Sequence, residues 1–112
     1  MIGRIQSRSA FARVRSEGTH VRFGLLSCTM VLDTTLSLPL VGYAFTRSFG
    51  NAVQRNRLRR QLRELVKTRS ALMAPGLYVF GASPKASGRP AADLARDLDG
   101  LLAKVSRGGH GN

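Results

Sequence analysis

Apolar and polar positions change period several times along the chain, and each change marks an element. Residues 9–18 read as a short helix in which Phe11 and Val14 share a face at i, i+3. Ser7 or Ser9 can cap its start, and Gly18 is expected to end it in a left-handed conformation. From Leu25 to Leu32 the period becomes two, as in a strand. Leu26, Cys28, Met30 and Leu32 fall on one face, with Leu25, Ser27, Thr29 and Val31 on the other. A turn at Asp33-Thr34-Thr35 then suggests a hairpin leading through Pro39 into a second strand, Leu40 to Thr46. There Val41, Tyr43 and Phe45 alternate with Gly42, Ala44 and Thr46. The large residues of both strands predict a core face. The small ones, Ser27, Thr29, Gly42, Ala44 and Thr46, predict either a thinly covered solvent face or a shallow floor on which something else lies.

Asn51 to about Arg69 carries the strongest helical period, with Leu58, Leu62, Leu65 and Val66 at i, i+4, i+7 and i+8. Pro75-Gly76 breaks the chain before a strand over 77–82, and residues 83–88 read as a loop. Pro90 suits the first turn of a last helix, whose core stripe is Leu94, Leu98, Leu101, Leu102 and Val105. Gly100 inside it costs up to about 1 kcal/mol relative to Ala. Residues 106–112 are expected to be a disordered tail, leaving a single domain over 1–105. The expected order is α-β-β-α-β-α, with room for an extra short strand near His20-Val21-Arg22.

Charge changes this picture more than composition does. The 112 residues carry 18 Lys+Arg against 6 Asp+Glu, a net charge of +12, and all but three of the cations are Arg. Guanidinium binds phosphate bidentately and stacks on bases, so a polyanionic partner is expected. Between Arg47 and Arg69 lie eight cations and the single acid Glu64. Wound at 100° per residue, Arg59, Arg60, Arg63 and Lys67 gather around Asn56, flanked by Arg57 and opposite the leucine stripe. The i, i+4 steps Arg55–Arg59, Arg59–Arg63 and Arg63–Lys67 repel. Arg55 and Arg57 also sit near the helix's positive end. A helix that breaks two local rules at once is a candidate functional surface.

Other chemistries are poorly supplied. Hydrolysis needs clustered carboxylates for metals or a His-based acid–base pair. Three of the six acids, Asp93, Asp97 and Asp99, fall on the last helix, and the other three are spread along the chain. Of the two histidines, His20 follows a turn and His110 is in the tail. Asp93 and Asp97 are expected to help the last helix start and to pair with Arg96. One cysteine excludes an intrachain disulfide, and its place in an apolar run suggests a buried thiol. No apolar run reaches the ~18–20 residues of a membrane span, and the first residues lack a signal-peptide core. A cytoplasmic protein with no membrane or obligate protein partner is expected.

Residues 50–64, from Gly50 through the triplet Arg55-Asn56-Arg57 to the closing Arg63-Glu64, resemble the signature of the bacterial ribonuclease P protein component. The likeness extends over nearly the whole chain: a Phe-bearing first helix ending at Gly, strands before the basic helix, and a later strand leading to a Leu-rich last helix. The resemblance implies an α/β (α+β) two-layer sandwich with a left-handed βαβ crossover. It also implies binding to the ribonuclease P catalytic RNA and to the 5′ leader of precursor tRNA, with Mg²⁺ held chiefly by the RNA and hydrolysis carried out there. Carried over residue by residue, Arg55, Asn56, Arg57, Arg59, Arg60 and Arg63 would contact RNA, and Lys67 prolongs their row. Phe11 and Arg47 would line the leader cleft, over a floor of Ser27, Thr29, Ala44 and Thr46. Relatives often carry rings in that cleft where this chain has Arg15 and Thr29, so Arg15 is expected to line the leader cleft too. They also often have a Ser-Lys-Lys run where it has Thr46-Arg47-Ser48. The competing readings are another small basic RNA-binding protein of ribosomal type and a DNA-binding module, although no helix directly precedes the basic one as a helix-turn-helix requires.

Overall fold

Leu77, Tyr78, Val79 and Phe80 form an apolar run without alternation, the mark of a strand covered on both faces. The computed structural model, which describes residues 2–46 and 49–108, places this strand at the centre of the sheet. In chain order the elements are β1 (Gly3–Arg4), α1 (Arg8–Glu17), β2 (Thr19–Phe23), β3 (Leu26–Leu32), β4 (Pro39–Tyr43), α2 (Ala52–Lys67), β5 (Gly76–Ala82) and α3 (Ala91–Gly108). The sheet order is β1-β4-β5-β3-β2. The expected hairpin between β3 and β4 does not form, because β5 lies between them, antiparallel to β3 and parallel to β4. Only a strand apolar on both faces can take that position. The hairpin that does form joins β2 to β3 through a tight turn in which Gly24 adopts a φ of 60°.

Two apolar clusters lie on opposite sides of the sheet. Leu26, Cys28, Met30, Val41, Tyr78 and Phe80 pack under Leu58, Leu62 and Val66 of α2 and Leu94, Leu98 and Leu101 of α3. On the other side α1 covers a smaller cluster of Ile5, Val14 and Leu77, with Phe11, Leu40 and Val79 against it. Cys28 is fully buried and burial pushes its thiol well up, so it fills space as a neutral group.

Several local expectations are corrected. Gly18 is extended (φ −73°, ψ 151°) rather than left-handed. It is needed for space, since a Cβ there would stand 2.3 Å from the Val14 carbonyl oxygen and 2.6 Å from Thr29. Leu32, at the strand's end, is 39% exposed instead of buried. The first residues form a strand, β1, parallel to β4, which the short N-terminal pattern did not show. The last helix runs on to Gly108, past the expected end at residue 105, and residues 109–112, with His110, lie outside the described residues. Asp97 does not pair with Arg96: it is buried and accepts a 3.0 Å hydrogen bond from the Leu25 amide, bracing the β2–β3 turn from α3. Asp93 does meet Arg96, at 3.5 Å. Gly100 faces the Phe23 ring, which occupies the place its Cβ would take.

An ion pair anchors α1 to the end of β3. Arg13 donates to Asp33 at 2.7 Å, and the amide and hydroxyl of Thr35 bond the same carboxylate. Thr35 and Arg13 together hold the Asp33 carboxyl at about 2, below its ordinary 3.8. A depressed carboxyl contributes stability above its unfolded pKa and loses it as pH falls through the folded one. Stability is therefore expected to drop between about pH 4 and pH 2, and Asp33→Asn should flatten that part of the profile in acid-unfolding measurements.

Candidate nucleic-acid interface

The basic helix is positioned by its ends and its apolar stripe. Asn51 caps α2, accepting from the Gln54 amide at 2.9 Å while the Gln54 side chain accepts from the Asn51 amide at 2.9 Å. Leu58, Leu62 and Val66 are buried and Leu65 is half-buried, so the helix cannot rotate without exposing them. Beyond its C-terminus Arg69 pairs with Asp99 of α3, fastening the helix end and leaving the outer arc.

That arc keeps the cations in solvent. Asn56, Arg57, Arg60, Arg63 and Lys67 are exposed, and Arg59 is half-buried. Arg59 donates to the Asn56 side chain and lies 5.7 Å from the centroid of the Phe45 ring, which hold it at the arc's edge. Arg55 is turned inward, donating to the Gly50 carbonyl at 2.8 Å and bracing the entry to the helix. Val53, Asn56, Arg59, Arg60 and Arg63 line an open depression of about 510 Å³, where Val53 is 74% exposed. Among the described residues, Arg57, Arg60, Arg63 and Lys67 form no ion pair, whereas Glu17, Asp33, Asp93 and Asp99 are each taken by arginines on other elements. Four of the six acids are thus taken up away from the arc, and Glu64 is the one acid on α2 itself.

The small-residue face lies on the side of the sheet that α1 only partly covers. Ser27 and Thr29 of β3 stand beside Gly81 and Val79 of β5, with Gly42 of β4 next to Val79 and Ala44, just past the end of β4, beside Gly81. Thr46 lies three residues beyond β4, outside the paired strand. Phe11 closes one end, its ring seated on Gly42, where a Cβ would come within 2.8 Å of it. Arg15 is exposed on the next turn of α1. Arg47 lies outside the described residues. Of the expected leader-cleft residues, Phe11, Ser27 and Thr29 are thus placed on one face of the sheet, with Ala44 just past the end of β4 beside them.

His20 and Arg22 were missed by the sequence reading. They pair with Thr29 and Ser27 across β2 and β3, so they share that face, and the His20 ring bonds Thr29 through Nδ1 at 2.9 Å. The period-two pattern Thr19, Val21, Phe23 against His20, Arg22 carried the signal, but the register was needed to set them beside Thr29 and Ser27. Among the described residues no three of His, Cys, Asp and Glu are grouped to hold a metal ion, and no helix is long and apolar enough to cross a membrane. α2 follows a strand, with three strands between it and α1, unlike the paired helices of a helix-turn-helix.

Comparison with known proteins agrees across sequence and structure. A family model described as Ribonuclease P matches residues 3–106. The ribonuclease P protein component of Streptomyces griseus is 40% identical over 80 residues, covering 70% of this chain and 65% of that protein. The component from Beutenbergia cavernae is 32% identical over 103 residues, 91% of this chain and 87% of its own. In fold, the Staphylococcus aureus RNase P protein superposes with a TM-score of 0.83 at 20% identity, covering 91% of this chain and 94% of that one. The Thermotoga maritima RNase P protein gives 0.80 at 22% identity, covering 90% and 96%.

Proposed function

Because the chain belongs to the ribonuclease P protein family, we propose that it is the protein subunit of a ribonuclease P holoenzyme, binding the catalytic RNA and the 5′ leader of precursor tRNA. The observation that carries this reading is the row of unpaired cations on α2, set on a rigid helix and facing away from the core. Its members Arg57, Arg59, Arg60, Arg63 and Lys67 engage phosphates of the catalytic RNA, and Asn56 fixes Arg59 among them. The groove of Phe11, Ser27, Thr29, Ala44 and Thr46, flanked by Arg15 and His20, receives the single-stranded leader. Its small floor admits a backbone, and its rim supplies guanidinium and imidazole planes for the bases.

The cleavage itself belongs to the RNA. Asp93, Asp97 and Asp99 share α3, but Asp93 and Asp99 are tied to arginines and Asp97 to a backbone amide. Glu17 and Asp33 are held by Arg13, and among the described residues no three acids group to fit a Mg²⁺ site. Mg²⁺ is assigned to the RNA, and the protein's part is to neutralise phosphate repulsion and hold the substrate in register. Purified protein alone should leave precursor tRNA intact, and with the catalytic RNA it should accelerate leader removal at low Mg²⁺. Turnover by RNA-free protein, or no acceleration of the RNA, contradicts the proposal.

A further inference from the structure

An apolar recess lies away from the small-residue face. It lies on the opposite side of the sheet, between α2 and the edge formed by β1 and β4, with a volume of about 410 Å³. Ile2, Val41, Tyr43 and Val66 supply its apolar lining. Its volume falls within the roughly 300–1,000 Å³ of small-ligand sites. Four cations, Arg4, Arg59, Arg63 and Lys67, stand at it against one acid, Glu64. Arg59 and Arg63 also line the open depression on the outer arc, so the two hollows are contiguous through the same pair of guanidiniums. Tyr43 is stacked against Phe80 at 6.0 Å between centroids, which fixes its ring. Burial pushes its hydroxyl up to about 12, so it stays neutral and able to donate.

An apolar recess beside a row of phosphate-binding arginines has the chemistry of a nucleotide. Resting on the proposed role of α2, we propose that this recess receives one unstacked base of the partner RNA, its flanking phosphates held by Arg63 and Lys67. RNA-binding proteins read splayed-out bases in this manner, an aromatic or apolar surface taking the base while cations hold the backbone. The site is separate from the groove, because α1 and α2 lie on opposite faces of the sheet.

The full-length protein can be titrated with adenosine 5′-monophosphate and, separately, with inorganic phosphate while the methyl resonances of Ile2, Val41 and Val66 are followed. The nucleotide should shift all three and inorganic phosphate should not. No shift with the nucleotide, or the same shifts with phosphate alone, overturns the base subsite. With the catalytic RNA, Tyr43→Leu should weaken binding by about fivefold to 150-fold, the range of one base–aromatic stack, while the salt slope stays as in the parent. Tyr43→Phe should keep most of the affinity, and Ile2→Ala, at the rim, tests the recess without touching the Tyr43–Phe80 stack. Unchanged affinity in both Tyr43→Leu and Ile2→Ala sinks the recess, as does a loss accompanied by a flatter salt slope. If Arg60→Glu also leaves RNA binding unchanged, it is the role of α2 that fails.

Discussion

Leu62→Ala is expected to lower folding stability by about 2–5 kcal/mol, while Arg60→Glu leaves stability nearly unchanged and weakens RNA binding. Leu62 is 0% exposed and sits among Leu58, Val66 and the sheet, so truncation leaves a cavity that neighbours on two other elements cannot close. Arg60 is two positions away in sequence but on the opposite side of α2, exposed and without an ion pair. Removing it breaks no ion pair or hydrogen bond, and a Glu there would attract Arg57 and Arg63 while repelling Glu64, effects of about a few tenths of a kcal/mol each that largely offset. The two variants thus separate the helix's faces: chemical denaturation should detect only the first, and RNA affinity of folded protein should fall only in the second. Unfolding by Arg60→Glu with normal residual affinity would reverse the assignment of faces.

How much of this was legible in the sequence depended on how local each signal was. α2 was read nearly to its ends, because its capping residues and its leucine stripe lie within one helix, and the same period placed the cations opposite the core. The small floor of the groove was visible as alternation in two strands. Strand pairing was not, since alternation gives the face of a strand and says nothing of its neighbour. The β3–β4 hairpin was inferred from proximity in sequence, and β5, apolar on both faces, displaced it. His20 followed the same logic, gaining meaning only when the β2–β3 register set it opposite Thr29. Gly18 and Gly100 were read for backbone conformation, whereas their packing against Thr29 and Phe23 depends on other elements.

Binding to the catalytic RNA should be steeply salt-dependent. Each phosphate neutralised by a guanidinium or ammonium releases condensed counterion, and about six such contacts give a slope of log K against log salt of about −4 to −5. Affinity should then fall about 300-fold or more between 50 and 200 mM salt. Arg57, Arg59, Arg60, Arg63 and Lys67 supply most of these contacts, because none of them forms an ion pair among the described residues and Glu64 is the one acid on their helix.

The most direct test measures that slope for the parent protein and for the double variant Arg60→Glu with Arg63→Glu, on the same catalytic RNA and across the same salt range. The parent should give about −4 to −5, and the double variant should be shallower by about 1.5–2 units, one increment for each lost phosphate contact. A parent slope shallower than about −2, or equal slopes for the two proteins, would mean that the arc on α2 faces solvent in the complex and that the RNA is held elsewhere.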